Sequence, residues 1–376
     1  MNLNIFRNDI EMMKLVLVSD HIVIYGAGTM GQALYKCLSE EPYKLNIDCF
    51  LVKSLIDNPD FVCNVPVRDI ENASEYIDSL ILVALNNKII HDAIDDLRQH
   101  GFNRLINISF DGDLWSFIRG RWSRNNIQYS ENIVYMPEIL KNNTYIDKTD
   151  DLHVYVAHSI FDRKINTVWD DRYYEIAIQV GAALTDKKMF SIVDSDSDDN
   201  ISCKNKQYCE TTGIFWAWKH DYSMYIGFSH YRRRFVLNPN EINYIKSGNV
   251  DIVVTEPILN FNSVKSQYAK DHCAADWDIL IEAIEKLSPK YSLAAQKVQN
   301  GIYYFAYNMF IMKREVFDKY CQFVFPVLEY CEKKIGVKED AYQNRYVGFL
   351  AERLLSIFIE ENNKYKVVIA DKTFLE

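Results

Sequence analysis

Apolar residues along the chain gather in two kinds of segment. Short continuous apolar runs, bounded by Gly, Asn or charged residues, read as strands buried on both faces, the pattern of a parallel sheet. His21–Tyr25, Ile47–Val52, Ser79–Ala84 and Arg104–Ile108 have this form. Between them, the stretch up to about Leu38 and that from about Lys88 to His100 carry apolar residues at helical spacing. Strands alternating with helices predict an α/β domain with a parallel sheet over residues 1–110. A second series begins at Leu152–His158 and continues through Met224–Ser229 and Val250–Val254. The apolar stretch Gly301–Met312, a helix from about Arg314 to Lys334 and a helical stripe from Arg345 complete a second α/β domain over 151–376. Across 111–150 the pattern weakens. Asn125-Asn126 and Asn142-Asn143 surround short amphipathic pieces such as Leu114–Ile118, which predicts a connector.

Composition narrows the function classes. Hydrophobic residues at 48% and charged residues at 25% exclude wholesale disorder, and a chain of 376 residues suits two domains. With 42 Lys+Arg against 52 Asp+Glu the net charge is -10, which argues against general affinity for nucleic acid or anionic lipid and leaves room for a local basic patch. The eight cysteines show no C-x-x-C spacing, so no zinc site is expected. No stretch of 18 apolar residues and no opening signal-like segment occur. The expectation is a cytoplasmic protein, at most peripheral at the inner face of the cell membrane and compatible with a homo-oligomer.

In the first domain, Gly26-Ala-Gly28-Thr-Met-Gly31 follows the first strand and opens a helix. Glycines at that turn let the backbone approach a phosphate on the helix N-terminus, so Gly26, Gly28 and Gly31 are the candidate nucleotide-binding residues of a Rossmann-like domain. A dinucleotide also needs an acid at the end of the second strand, and Cys49-Phe-Leu-Val-Lys53 has none there. The Tyr330/Lys334 pair lies far downstream, out of place for a dehydrogenase dyad. NAD is therefore not expected. The glycines then serve a tight turn and close helix packing, and the domain resembles the nucleotide-binding-like modules that accompany polysaccharide-assembly enzymes.

The second domain carries the chemistry. Its strand at Met224–Ser229 runs into His230-Tyr231-Arg232-Arg233-Arg234-Phe235. Three adjacent arginines beside aromatics lose hydration on burial and call for an anion. In extended geometry His230, Arg232 and Arg234 share one face, and Tyr231, Arg233 and Phe235 the other. Such a run at a strand end suits a diphosphate clamp; a solvated cationic edge is the plain alternative. Upstream, Asp194–Asp199 followed by Asn200 and Ser202 reads as a helix start, with Asp194-x-Asp196-x-Asp198 a lesser candidate for a divalent cation such as Mn or Mg. Downstream, Asn308 is the one strongly polar side chain in an apolar run, and Arg345, Gly348 and Glu352 fall on one helical stripe. That stripe reads as a pocket wall, or as an internal Arg345–Glu352 ion pair.

The blocks Ile178–Ala183, Asp199–Ser202, Asn205, Tyr208–Thr211, Trp216–Lys219, Gly227, His230–Arg233, Tyr307–Phe310, Arg345 and Glu352–Leu354 resemble a bacterial capsular and exopolysaccharide biosynthesis family, domain of unknown function 4422, over about 151–360. The resemblance implies a glycosyltransferase-A-like fold. It also implies a Leloir-type transferase moving a hexose, galactofuranose among the options, from a UDP-sugar to a glycan or lipid-linked oligosaccharide acceptor of a capsule, exopolysaccharide or O-antigen. Under it, His158, Asn205, Glu210, His230, Tyr231, Arg232, Arg233 and Arg345 would bind the donor. Asn308 and Trp218 would contact acceptor sugar, and Glu352, Asp340 and His230 are the catalytic candidates. Related folds place Asp-x-Asp after the fourth strand to hold a metal. Here His230-Tyr231-Arg232 stands there, so fixed cations are expected to replace the metal and no cofactor is required. The first strand ends Ala157-His158-Ser159 where the family has a Thr-His-Lys-like sequence, so only His158 carries over. An oxidoreductase or epimerase run by the first domain, and a non-catalytic assembly scaffold, are the competing readings.

Overall fold

The computed structural model describes residues 11–85, 89–109, 112–136, 151–170, 172–260 and 262–375. Lys88, the expected start of one helix, and Asn142-Asn143 lie outside the described residues. The chain divides into two compact units, Met1–Gln128 and Tyr129–Glu376.

In the first unit, β1 (Ile22–Tyr25), β2 (Cys49–Val52), β3 (Phe61–Val62), β4 (Val65–Asp69), β5 (Leu80–Val83) and β6 (Leu105–Asn107) form a sheet in the order β3-β4-β2-β1-β5-β6. All pairs are parallel except β3 with β4. Every residue of β1, β2 and β5 is buried, as their continuous apolar runs require. The order outward from β1 in both directions is that of a doubly wound sheet, with helices Thr29–Ser39 and Ile90–Gln99 as crossovers. A Cβ on Gly31 would stand 1.8 Å from the Gly26 carbonyl oxygen, so only glycine lets this helix sit so close to the turn. A Cβ on Gly28 would meet nothing within 4 Å. Lys53, where a ribose-binding acid is wanted, is ion-paired to Asp96 at 3.1 Å.

The described residues of the stretch expected as a connector are built into both units. Helix Asp113–Asn126 buries Leu114, Trp115, Ile118 and Trp122, and the Trp122 indole N–H donates to Glu40 at 2.9 Å. Strand β7 (Ile133–Tyr135) then joins the second sheet. Two widely spaced tryptophans anchor this helix among Arg and Asn residues, which is why its apolar periodicity looks weak.

The second unit continues with β8 (Leu152–His158), β9 (Glu175–Gln179), β10 (Ile192–Val193), β11 (Tyr225–His230), β12 (Arg233–Phe235), β13 (Ile252–Thr255), β14 (Ile258–Leu259), β15 (Tyr303–Tyr304), β16 (Phe310–Lys313), β17 (Val367–Ala370) and β18 (Lys372–Phe374). The main sheet runs β10-β9-β8-β11-β16-β13-β17-β7, and β12 pairs with β11 and β18 beside it. Within this path only β16 is antiparallel to its neighbours. Helices Ala274–Leu287, Ser292–Asn300, Arg314–Ile335 and Tyr346–Glu361 supply one large core with Phe310, Trp277, Tyr320 and Phe358 fully buried. A smaller core on the other side gathers Leu152, Tyr225, Phe235 and Ile242. Each such buried side chain contributes about 1.5–3 kcal/mol. The expected α/β architecture is what forms.

Strand β8 leads to β9 on one side, whereas β11, reached later, pairs with β8 on the other. The chain therefore diverges between β8 and β11. In an open α/β sheet the carboxyl ends at such a divergence leave a crevice.

Candidate active site

Strands β8 and β11 end side by side, with Ala157 opposite His230. A cavity of about 920 Å³ opens there. Its walls come from the end of β8 and the following loop, the segment Asn205–Glu210, the hairpin at His230–Arg233, Tyr307, and the helix that follows Arg345. His158, Asn205, Glu210, His230, Tyr231, Arg232, Arg233, Arg345 and Glu352 all line it.

The arginine run reaches this wall in a different way from the expected alternation. His230 pairs with Arg233 across a two-residue turn, so the strand reverses instead of extending. Arg232 and Arg233 consequently both line the cavity beside His230. Arg232 lies 5.3 Å from the Tyr231 ring and 5.2 Å from the Phe374 ring. Arg233 lies 4.2 Å from the Tyr307 ring. Arg234 turns into the protein: it is 5% exposed and forms an ion pair with Glu175 at 3.2 Å. Two of the three arginines thus line the cavity, and the third is paired with Glu175 inside the protein.

The stripe Arg345, Gly348 and Glu352 does form a pocket wall, on helix Tyr346–Glu361 and its preceding residue. A Cβ on Gly348 would come within 3.1 Å of Cys209 Sγ, so glycine here admits the Cys209–Glu210 link against the helix. The alternative Arg345–Glu352 pair does not form. Arg345 Nε donates to Cys209 Sγ at 3.2 Å, and Glu352 Oε2 accepts from Arg353 Nη1 at 2.8 Å. Burial pushes the Glu352 carboxyl above its ordinary range, against the opposing pull of Arg353. Burial also pushes the Cys209 thiol up to about 11, leaving it a poor nucleophile at neutral pH.

Before β16 the chain makes a turn in which Tyr307 (φ 68) and Asn308 (φ 48) are both left-handed. Such strain in consecutive non-glycine residues is found where the surroundings over-determine it, commonly at functional sites. The Tyr307 carbonyl accepts from His230 Nε2 at 2.5 Å, and the Tyr307 N–H donates to Glu352. Asn308 Nδ2 donates to Glu210 Oε1 at 2.6 Å. Burial, reinforced by Arg233 and Arg345, lowers the basicity of His230 against the pull of Glu210.

Three candidates are not where the sequence reading put them. Asn308 is 0% exposed and is not among the cavity-lining residues; its amide donates to Glu210. Trp218 stacks on Phe325 at 5.6 Å and an interplanar angle of 7°, packed between helices and away from the cavity. Asp340 is exposed and caps the backbone N–H of Gln343 at 2.7 Å. The acidic run is also structural. Asp194 is fully buried, accepting from the N–H groups of Gly181 and Ala182 at 2.8 and 3.0 Å and from the Ser202 hydroxyl, while Asp196 accepts from the Trp216 indole. Those carboxylates do not fit a divalent cation, and among the described residues no group of three His, Cys, Asp or Glu side chains does. The expected helix start forms as a 3₁₀ turn at Ser202–Lys204 that runs into a one-turn helix, Asn205–Tyr208, broken at Cys209 (φ 50) before helix Thr211–His220.

Asp162 is absent from the sequence candidates, and Tyr307 enters them only within the block Tyr307–Phe310, without a role. Asp162 lines the cavity, its carboxyl pushed up to about 6 by burial against the opposing effects of the Ser159 N–H and Arg232. Its spacing of four residues from His158, at a strand end, is the available signal. His158 packs against the Phe190 ring at 4.8 Å and the Tyr231 ring at 6.1 Å, an aromatic lining suited to a planar group.

Comparison with known proteins places this geometry. No curated protein matches the chain. Among solved structures, the apo form of the WbbM bifunctional glycosyltransferase is similar over 60% of this chain and 45% of that chain, at 24% identity and a TM-score of 0.53, which shows a common fold. This chain therefore corresponds to less than half of that protein. Core-mannan synthase A of Aspergillus fumigatus in its Mn/GDP form (12% identity, covering 93% of this chain and 72% of that chain) and a mannosyltransferase of S. cerevisiae (9% identity, covering 92% and 66%) reach TM-scores of only 0.21, too low to argue from. The family model described as domain of unknown function (DUF4422) matches residues 154–364, the span that holds the cavity and its walls, and the chain belongs to that family.

Proposed function

We propose that the second unit is a glycosyltransferase that takes a sugar from a nucleoside diphosphate donor, a UDP-hexose, and passes it to a hydroxyl of a glycan acceptor. The observation that carries this reading is the charge of the cavity. Five basic side chains (Arg163, Lys206, Arg232, Arg233, Arg345) face three acidic ones (Asp162, Glu210, Glu352) in a chain whose net charge is -10. A cationic crevice at a sheet divergence suits a diphosphate, and guanidinium forks bind phosphate oxygens in pairs. In the reaction, the acceptor oxygen bonds to the anomeric carbon as its bond to the diphosphate oxygen breaks. The acceptor proton passes to Glu352, and the departing diphosphate is held by Arg232 and Arg233. A carboxylate of raised pKa, fixed by Arg353 and the Tyr307 N–H, is suited to that proton. The arginines would carry out the neutralisation with no resident metal.

The resemblance in sequence supports a surface polysaccharide, carried on a lipid, as the acceptor. No helix among the described residues is long and apolar enough to cross a membrane. Calorimetric titration of UDP and UDP-galactose, with chelator and with manganese, tests the reading. Binding that survives chelator and is retained in Glu352→Gln, with product formation lost, supports it. Absence of any nucleoside diphosphate binding under all conditions refutes it.

A further inference from the structure

The polar groups of the cavity raise a question of partnership. His230 Nε2 stands 3.9 Å from Glu210 Oε1, just beyond hydrogen-bond reach, although the two are charge-complementary and largely buried. Two contacts hold them apart. The same nitrogen donates to the Tyr307 carbonyl at 2.5 Å, and the same carboxylate oxygen accepts from Asn308 Nδ2 at 2.6 Å. Both contacts belong to one left-handed turn, Tyr307–Asn308, whose geometry places a carbonyl and an amide side by side. A carbonyl only accepts, so His230 must carry a proton on Nε2, and in the neutral ring that burial favours Nδ1 is then the acceptor.

We propose that Asn308 is a positioning residue whose amide clamps Glu210 away from His230, so that carboxylate and imidazole face the ligand as two separate polar groups and not as an ion pair. This rests on the reading of the cavity as a donor site and deepens it. A polyhydroxylated ligand beside a diphosphate needs acceptors for its hydroxyls, and a Glu210–His230 ion pair would spend both on each other. Charged groups also facing His230 are Arg233 from the hairpin and Arg345 from the helix start, and both oppose its protonation.

Histidine ¹⁵N NMR, with His230 assigned by its loss in His230→Gln, tests this without requiring turnover. Wild-type His230 is expected as the neutral Nε2–H tautomer at pH 7. In Asn308→Gly, which tolerates the left-handed backbone and removes the amide, Glu210 is free to reach the ring, and the His230 titration midpoint should rise by about one pH unit. In the double variant Glu210→Gln/Asn308→Gly the midpoint should fall below the wild-type value, because Glu210 already pulls it up in the wild type. A wild-type His230 that is protonated or Nδ1–H at pH 7 overturns the proposal, even where the variants do not fold. So does an unchanged midpoint in Asn308→Gly, or a raised midpoint that persists without Glu210. UDP titration of the wild type is the separate arm: failure to bind UDP removes the donor-site reading while leaving the clamp measured by NMR intact.

Discussion

Three consecutive arginines should give two opposite phenotypes. Arg234 and Glu175 are almost fully buried, with side-chain exposures of 6% and 1%, and lie 3.2 Å apart. Glu175 also accepts from the Trp169 indole at 3.0 Å and the Arg172 N–H at 2.9 Å, so its position is fixed and it cannot follow a missing partner. Arg234→Ala leaves a buried carboxylate uncompensated, a loss of roughly 3–5 kcal/mol. At about 2–4 °C per kcal/mol for a unit of this size, the melting temperature should fall by about 10 °C. Arg232 and Arg233 are half-buried and rest on aromatic rings, contacts worth about 0.5–1 kcal/mol each, so Arg232→Ala and Arg233→Ala should barely move it. Their cost should appear in binding: a charge-assisted hydrogen bond to phosphate of about 1.5–3 kcal/mol corresponds to roughly a 10- to 150-fold weaker UDP affinity. Differential scanning fluorimetry and UDP calorimetry on the three variants read both quantities. The reasoning fails if Arg234→Ala loses UDP affinity with an unchanged melting temperature, or if Arg232→Ala unfolds the unit without affecting nucleotide.

Gly31→Ala should destabilise the first unit by about 3 kcal/mol or more, since its methyl meets the Gly26 carbonyl, whereas Gly28→Ala should cost about 1 kcal/mol or less; thermal unfolding of the isolated variants measures both. At the end of β8 opposite the cavity, Asp221, which follows helix Thr211–His220, has its carboxyl raised by burial but held down to about 2 by hydrogen bonds from His153 and Ser223. A depressed acid stabilises above its ordinary pKa and loses that stability as pH falls from about 4 to about 2. Asp221→Asn should therefore cost about 2–3 kcal/mol at pH 7 in denaturant unfolding, with UDP affinity unchanged. Asp162 has the opposite sign: its carboxyl is pushed up to about 6, so it is ionised at pH 7.5 and protonated at pH 5. An ionised Asp162 competes with diphosphate for Arg232, so Asp162→Asn should bind UDP about tenfold more tightly than wild type at pH 7.5, with the difference vanishing by pH 5. Comparing the two proteins cancels the titration of UDP itself, and equal affinities at both pH values would remove Asp162 from the donor site.

What the sequence made legible, and what it hid, follows from the range of the forces involved. Buried strands announce themselves where every position is apolar, as in β1, β2 and β5, and where an apolar core ends in a polar residue, as in β11 and β13. The stripe Arg345–Gly348–Glu352 was legible as a wall because helical periodicity survives any tertiary context. Partnerships were not legible, because they depend on turns. Alternation along an extended strand put Arg234 with His230, but the two-residue reversal at Tyr231-Arg232 sends Arg233 to the cavity in its stead. The isolated polar residue Asn308, expected at the sugar, is turned inward onto Glu210. A buried amide must satisfy its N–H groups, and the partner it found, Glu210, lies 98 positions away. Asp194 is the same case in reverse: an acid that reads as part of a helix start, or as a lesser cation ligand, is the most buried of its group, because two backbone N–H groups at Gly181-Ala182 needed an acceptor. Composition and period specify which faces are covered. Where a polar side chain points is settled by unsatisfied donors brought in from distant segments, and in this chain those donors converge on the end of the sheet where Glu210, His230 and Glu352 meet.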